Sequence, residues 1–349
     1  MKVLVVKLTS MGDVIHALPA LTDAQQALPN IRFDFLVEES FQEIPKWHPA
    51  VQRVIPVATR RWRKSLVVSR KEIISTLSTI RSVHYDAIVD LQGLMKSAVL
   101  CRIAKGNCYG YDRHSIRETL ASRLYNKTFA VSKKLHAIDR VRILFSSVLA
   151  YPAPSLSSVH DKDLNYAINF QAETELFDTL KLENQDKNYC VFLHGTTWRS
   201  KEWSEESWRE LLESFSNEQK TIYLPWGNTQ EKLRAERLQK NLEHVEVLPK
   251  MNLLQLGVLI QNAEGIVAVD TGLGHLSAAL GRPTISIYGP TDTSLIGTIG
   301  KNQQHFTVDD MSVNAKVDKS DDFDYSSISV EQVKQALLNL MMVHKTGKE

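Results

Sequence analysis

Val3-Leu-Val-Val-Lys-Leu-Thr-Ser-Met-Gly-Asp13, running on into Val14, Ile15, Leu18, Leu21 and Ala24, decides how the whole chain is read. A short apolar, β-branched run (Val3 to Leu8) is a buried strand, Gly12 permits a tight turn, and the apolar spacing from about Val14 onward has the period of a helix. The pattern recurs. Further runs of the same kind lie at Phe33 to Val37, Val54 to Val57, Ala87 to Leu91 and Cys108 to Tyr111, then at Tyr189 to Leu193, Thr221 to Leu224, Val245 to Leu248, Gly265 to Val269 and Thr284 to Tyr288. Longer segments with helical spacing separate them. Strands alternating with helices imply parallel sheets, so the chain reads as an α/β protein made of two Rossmann-like halves.

A length of 349 residues exceeds one ordinary core and agrees with two domains. The stretch Tyr151-Pro-Ala-Pro-Ser-Leu-Ser-Ser interrupts both periodicities and places a linker at about 151–165. The expected division is a first domain over 1–160, a second over 161–326 and a terminal helix within 327–349, with apolar positions Val333, Leu337, Leu338, Leu340 and Met341. That stripe leaves the helix free to pack back on the first domain. The three cysteines, Cys101, Cys108 and Cys190, form neither an even framework nor a Cys-x-x-Cys pair, which argues against a disulfide scaffold or a thiolate metal site. The apolar run at Val3 to Val6 is cut by Lys7, unlike a signal peptide, and no apolar window reaches membrane-spanning length. A reduced, cytoplasmic setting is expected.

The net charge of +2 conceals a division. Residues 1–150 hold 23 Lys+Arg against 12 Asp+Glu, or +11, and residues 151–349 hold 19 against 28, or −9. Such asymmetry points to an anionic partner for the first half. Within that half Arg60-Arg-Trp-Arg-Lys64 with Arg70 and Lys71 packs six cations into twelve residues, just after a strand. A solvated face, a nucleic-acid patch and an anionic membrane surface all use such runs. Nucleic acid is disfavoured, because Trp62 alone supplies too little aromatic stacking.

In parallel sheets ligands bind beyond the carboxyl ends of strands. Three turns there carry chemistry. Lys7 to Asp13 leaves Asp13 at a helix mouth, as a helix cap or as a general base. His194-Gly-Thr-Thr-Trp-Arg-Ser-Lys201 offers adjacent hydroxyls and a lysine to phosphate oxygens, or is a solvated turn. Asp270-Thr-Gly-Leu-Gly-His275 brings two glycines and a helix N-terminus toward a diphosphate, without being G-x-G-x-x-G or a Walker loop. Asp322-Phe-Asp324 reads as D-x-D but lies in an acidic loop, not at a strand end.

Taken together, Lys7 to Asp13, Arg60 to Lys64, His194 to Lys201 and Asp270 to Leu276, with the Leu224-Pro-Trp-Gly227 and Tyr288-Gly-Pro-Thr-Asp292 turns, resemble glycosyltransferase family 9, the heptosyltransferases of the GT-B fold, over nearly the whole chain. The resemblance implies two Rossmann-like domains facing a central cleft. It implies transfer of L-glycero-D-manno-heptose from ADP-L-glycero-D-manno-heptose to the first Kdo of Kdo2-lipid A, with inversion and with no metal or other cofactor. It matches Asp13 to the base, and Thr196, Thr197 and Lys201 to the diphosphate. Asp270, Thr271, Gly272 and His275 fall along the donor site, Glu231 at the ribose and Met251 at the adenine. Arg60, Arg61, Arg63 and Lys64 match the grip on Kdo carboxylates and lipid phosphates, with Arg117, His136 and Arg140 as weaker candidates. Trp198 and Arg199 depart from the family turn. The residues alone leave open a later heptosyltransferase, a nucleotide-sugar epimerase and a non-enzymatic anion binder.

Overall fold

The computed structural model describes residues 1–157, 164–170, 188–308, 318 and 320–347. They form two units, one comprising Met1–Ser157 with Asn165–Asn169, the other Leu164 and the described residues from Phe170 onward.

The first unit holds a six-stranded parallel sheet, β1 (Lys2–Val6), β2 (Arg32–Glu38), β3 (Val51–Val57), β4 (Ala87–Asp90), β5 (Cys108–Tyr111) and β6 (Lys127–Phe129), in the order β3-β2-β1-β4-β5-β6. The second holds β7 (Tyr189–Leu193), β8 (Thr221–Leu224), β9 (Val245–Val247), β10 (Gly265–Val269), β11 (Thr284–Tyr288) and β12 (Gln303–Thr307), in the order β12-β11-β10-β7-β8-β9. These are the same order read from opposite ends. In each sheet the chain builds outward one way from its first strand, then returns and builds the other way. The reversal falls between β1 and β4, and again between β7 and β10. Register fixes both junctions: Val5 pairs with Phe35 on one side and Val89 on the other, and Val267 pairs with Phe192 and Ile285.

The apolar runs foretell ten of these strands. The two they miss, β6 and β12, are edge strands. Lys127-Thr-Phe129 and Gln303-Gln-His-Phe-Thr307 are largely exposed or half-buried, so an edge strand here needs little apolar sequence of its own.

Central strands β1, β4, β7 and β10 are buried almost throughout, which is why they read as continuous apolar runs and not as alternating ones. Helices Leu18–Ala27 and Ala137–Leu149 pack together in the first unit, with Phe33 and Phe145 rings 6.0 Å apart. The second core centres on Phe192, Trp203, Trp208 and Phe215; the Trp203 and Trp208 rings meet edge-to-face at 5.2 Å. Burying each such side chain contributes roughly 1.5–3 kcal/mol.

The terminal helix Val330–Thr346 belongs to the second unit and not to the first, where the sequence left room for it. Val330, Val333, Leu337 and Met341 are buried in the second core. Gly265 explains how the helix approaches β10: a Cβ there would stand 2.7 Å from Met341 Sδ and 3.0 Å from Leu337 Cδ1. Lys334 to Glu218 at 3.0 Å and Lys345 to Glu264 at 2.5 Å fasten it at both ends.

The linker is shorter than its composition implies. Arg142 donates to the Ser155 carbonyl at 3.0 Å and Asp139 accepts from the Ser157 amide at 3.0 Å, so the Pro/Ser stretch up to Ser157 is tied to the first unit. Asn169 N donates to Trp47 O at 3.0 Å and returns a second piece to it.

Candidate active site

In the first unit the turn after β1 carries Asp13. Helix Met11–Ile15 begins three residues before the expected Val14, with Ser10 as its cap, so Asp13 lies inside the first turn and not ahead of it. Its Oδ2 accepts from the Ser10 amide at 2.8 Å and the Ser10 hydroxyl at 2.9 Å, while Oδ1 lies 3.1 Å from Lys7 Nζ. Burial opposes ionisation, but the Lys7 charge and the two Ser10 bonds outweigh it and hold the carboxyl below its ordinary range. Asp13 is therefore both a capping residue and an ionised carboxylate, and its side chain remains 39% exposed, open to a proton donor.

The turn after β4, on the other side of the reversal, holds this loop in place. Gln92 Oε1 accepts from two successive amides, Leu8 N and Thr9 N, each at 3.0 Å, and Lys7 Nζ donates to Leu91 O at 3.2 Å. Asp90, fully buried, fixes the Gln92 turn in turn: Oδ1 accepts from Gln92 N at 2.8 Å and Gly93 N at 3.1 Å, and Oδ2 from Ser97 Oγ at 2.8 Å and Tyr125 Oη at 2.7 Å. Sequence reasoning missed Gln92. The signal was available, since Leu91-Gln-Gly follows a strand at a reversal just as Lys7 to Asp13 does.

The other expected acceptor residues divide. Arg140 stacks 5.0 Å over the Tyr111 ring and donates to Ser115 O at 2.6 Å. His136 caps helix Ala137–Leu149, its Nδ1 accepting from Ile138 N at 3.2 Å, a structural task for that nitrogen. Arg117 is exposed. Arg60, Arg61, Arg63 and Lys64 lie on a short helix, Thr59–Lys64, anchored to the end of β2 through Glu38, which accepts from Thr59 Oγ1 at 2.8 Å and Arg60 N at 3.1 Å. Arg61 is already gripped by Glu39 at 2.9 Å and Glu72 at 2.7 Å, so its charge is the least available of the four.

In the second unit the turns after β7 and β10 meet. Thr196 Oγ1 donates to Asp270 O at 2.9 Å, and Lys201 Nζ lies 2.6 Å from Asp270 Oδ2 and 4.7 Å above the Trp198 ring. Thr291 Oγ1, from the Tyr288 to Asp292 turn after β11, donates to the same Oδ2 at 2.5 Å, a third contribution that the sequence did not single out. Thr271 caps helix Gly272–Ala279, its carbonyl accepting from Gly274 N at 3.1 Å and His275 N at 3.4 Å, so the amides that a helix start leaves for an anion are those ahead of Gly274. His275 is buried within that turn, and Thr197 is exposed.

Glu231 lies over Gly195, where a Cβ would stand 2.7 Å from its Cδ, and accepts from Gly227 N at 2.6 Å and Asn228 Nδ2 at 2.7 Å. Thr196, Gly195 and Glu231 thus form one surface. Met251 is half-buried beyond the edge strand β9, away from the reversal. At the neck of the β7 turn, burial and the Arg234 charge push the His194 imidazole down to about 4, so it is neutral near pH 7.

A broad groove of about 1500 Å³ borders this surface and includes Thr196 and Glu231; its charged lining is mixed, with Arg234 and Arg237 paired to Glu202 and Glu205 and Arg199 to Asp322, while Glu206 and Glu210 add further acid. The Lys201 turn and the helix N-terminus offer a diphosphate a more cationic setting. Asp322 of the D-x-D pair is bound to Arg199 at 2.6 Å and Asp324 accepts from Ser326 N at 2.8 Å. Among the described residues no cluster of three or more His, Cys, Asp or Glu is disposed to hold a metal ion.

Two doubly wound sheets, one presenting an ionised carboxylate and a cationic helix, the other hydroxyls, a lysine and a helix N-terminus, fit a two-domain enzyme of the nucleotide-sugar class. The chain matches the model of glycosyltransferase family 9 (heptosyltransferase) over residues 73–325. It is 47% identical over 306 residues to lipopolysaccharide heptosyltransferase 1 of Escherichia coli K12, covering 87% of this chain and 92% of that one. The same identity holds over 314 residues with lipopolysaccharide heptosyltransferase 1 of Pseudomonas aeruginosa, covering 88% and 84%. Among solved structures it superposes on the E. coli heptosyltransferase WaaC with ADP, at TM-score 0.84 and 43% identity, covering 97% of this chain and all of that one. This chain belongs to glycosyltransferase family 9, the heptosyltransferases.

Proposed function

We propose that this chain transfers L-glycero-D-manno-heptose from ADP-heptose to the first Kdo of Kdo2-lipid A, inverting the anomeric centre without a metal. The observation that carries the reading is Asp13, an ionised, accessible carboxylate at the strand reversal of the more cationic half. The family, and a relative solved with ADP-2-deoxy-2-fluoro heptose at 42% identity and TM-score 0.81 over 97% of this chain and 99% of that one, support the donor.

In this reading a Kdo hydroxyl attacks the heptose C1 while Asp13 takes its proton. The bond from C1 to the β-phosphate oxygen breaks, and both its electrons leave with ADP. Lys201, Thr196 and the N-terminus of helix Gly272–Ala279 meet the charge that grows on the departing diphosphate, a stabilisation greatest in the transition state. Lys201 then exchanges its Asp270 partner for phosphate oxygens or bridges the two. Glu231 holds the ribose, and Met251 borders the adenine. Arg60, Arg63, Lys64 and Arg140 take the carboxylates and phosphates of the acceptor.

No described helix is long and apolar enough to cross a membrane. The proposed place of work is the cytoplasmic face of the inner membrane, held peripherally by the cationic half. ADP release measured with ADP-heptose and Kdo2-lipid A, beside an acceptor already carrying the first heptose, tests the assignment. Release on the first acceptor is expected; release only on the second identifies a later heptosyltransferase, and sugar isomerisation without acceptor an epimerase.

A further inference from the structure

The cationic segment of the first unit coincides with an apolar surface. Helix Leu66–Arg81 follows helix Thr59–Lys64 directly, and its second and third residues, Val67 and Val68, are 88% and 84% exposed. No other large apolar side chain among the described residues is so open. Ile74, at 57%, lies two turns from Val67 on the same helical face. Beside Ile74 an apolar concavity of about 370 Å³ is lined chiefly by Trp62, Ile73, Leu77, Met95, Val99 and Leu100, while Val68 projects about 100° further round the helix than Val67, on its other flank. Around this surface Arg60, Arg63, Lys64, Arg70 and Lys71 form no ion pair with any described residue, whereas Arg61 is held by Glu39 and Glu72.

Unpaired cations and uncovered apolar side chains on one short stretch match an occupant that is anionic outside and apolar beneath. A nucleic acid would meet the cations and leave Val67 and Val68 in water. A second copy of the same surface would set five unpaired cations against five more, which like-charge repulsion disfavours. The lipid surface satisfies both chemistries.

We propose that residues 60–77 seat the first unit on an anionic bilayer, with Val67 and Val68 entering the boundary between headgroups and acyl chains and the concavity covered by lipid. The inference rests on the reading of the acceptor as a lipid, and adds an apolar insertion to the charge attraction already described.

Because Cys101, Cys108 and Cys190 are all buried, a Val68→Cys variant is labelled selectively with an environment-sensitive dye. Acceptor-free vesicles of phosphatidylglycerol and phosphatidylcholine are added, and the same dye at Met342→Cys on the second unit serves as reference. The expected result is a blue shift at position 68, quenched by nitroxides on the acyl chains, with no change at position 342. Val67→Ser with Val68→Ser should weaken vesicle binding at least about tenfold. That double variant should keep the wild-type melting temperature and wild-type ADP release on an acyl-free Kdo acceptor.

A dye that stays water-like on anionic vesicles, a double variant that binds as wild type, or a blue shift that follows protein concentration without vesicles overturns the docking. Loss of ADP release in the wild type would instead overturn the proposed transfer while leaving the vesicle result standing, so the two failures are distinguishable.

Discussion

Lys201 Nζ sits 2.6 Å from Asp270 Oδ2, and this one pair joins the turn after β7 to the turn after β10. The two strands are neighbours at the reversal of the second sheet, the position beyond which open parallel sheets bind their ligands. Fifteen per cent of the lysine side chain and 8% of the aspartate remain exposed, so the pair is mostly desolvated. Its structural task and the chemical task proposed for it rest on the same atoms.

Lys201→Met should therefore damage both. Removing the lysine leaves a buried carboxylate with only Thr291 as partner, a loss of ~3–5 kcal/mol when a buried pair is broken, which a thermal melt would register. If Lys201 also meets the diphosphate, kcat/KM should fall ~10²- to 10³-fold. Lys201→Arg should recover most of the stability and part of the rate. Wild-type kcat/KM in Lys201→Met would remove the lysine from the chemistry.

For Asp13 the sign of the shift sets the pH behaviour. Its folded-state pKa is depressed, by Lys7 and Ser10 against burial, so the stability it contributes is present above the unfolded carboxylate pKa and is lost as pH falls through the lower folded value. The proposed base is thus ionised at every pH above the ordinary carboxylate range, and an acidic limb in kcat owed to Asp13 should lie below that range. Lys7→Met removes the chief lowering influence and should move the limb upward. A pH profile of kcat for wild type and Lys7→Met decides it.

Gln92 positions the Asp13 loop without touching a reacting atom. Gln92→Leu keeps the shape but leaves the Leu8 and Thr9 amides without their acceptor, at ~1–3 kcal/mol for each buried group left unpaired. The expected result, at matched folded concentration, is a fall in kcat with little change in the KM for ADP-heptose, whose proposed binding residues are in the other unit. Gln92→Glu, which still accepts, should restore kcat. A fall in kcat that disappears once the folded fraction is matched would argue for general unfolding instead.

Gly265→Val should loosen the terminal helix, because the added atoms meet Met341 Sδ and Leu337 Cδ1. Overpacking of this kind costs ~1–3 kcal/mol. Met341→Ala, which empties the same contact, should cost ~2–5 kcal/mol. Urea midpoints of the two single variants and of the double give the coupling: a double variant no worse than the poorer single is expected, and strict additivity would contradict the contact.

Much of this molecule is legible in its sequence because central parallel strands are buried on both faces. Val3 to Val6, Ala87 to Val89, Tyr189 to Leu193 and Gly265 to Val269 announce themselves as unbroken apolar runs, and the turns after them carry most of the site. Edge strands do not announce themselves: Gln303 to Thr307 carries one apolar side chain, Phe306, and is recognised only by its backbone pairing with β11 and by the His305 ring against Tyr288. The placement of the terminal helix was hidden for another reason. Its apolar stripe is evident from Val333, Leu337 and Met341, but only the missing Cβ of Gly265 shows where the stripe lands.

At the site, residue type was legible and partnership was not. Arg61 reads like its neighbours until Glu39 and Glu72 are seen on its guanidinium, and His136 reads as a cleft histidine until it is seen capping a helix. Gln92 and Thr291 act through single side-chain atoms on distant turns, a contact that no local spacing encodes.

The central claim, that Asp13 is the base of an acceptor-directed heptosyl transfer, is tested most directly by ADP release from ADP-heptose and Kdo2-lipid A with wild type and Asp13→Asn, at matched folded concentration. Asn keeps the size of the side chain and an oxygen for Ser10 but cannot take the proton. The account predicts a loss of ~10²- to 10⁴-fold in kcat with ADP-heptose affinity nearly unchanged. Turnover by Asp13→Asn at the wild-type rate would contradict it.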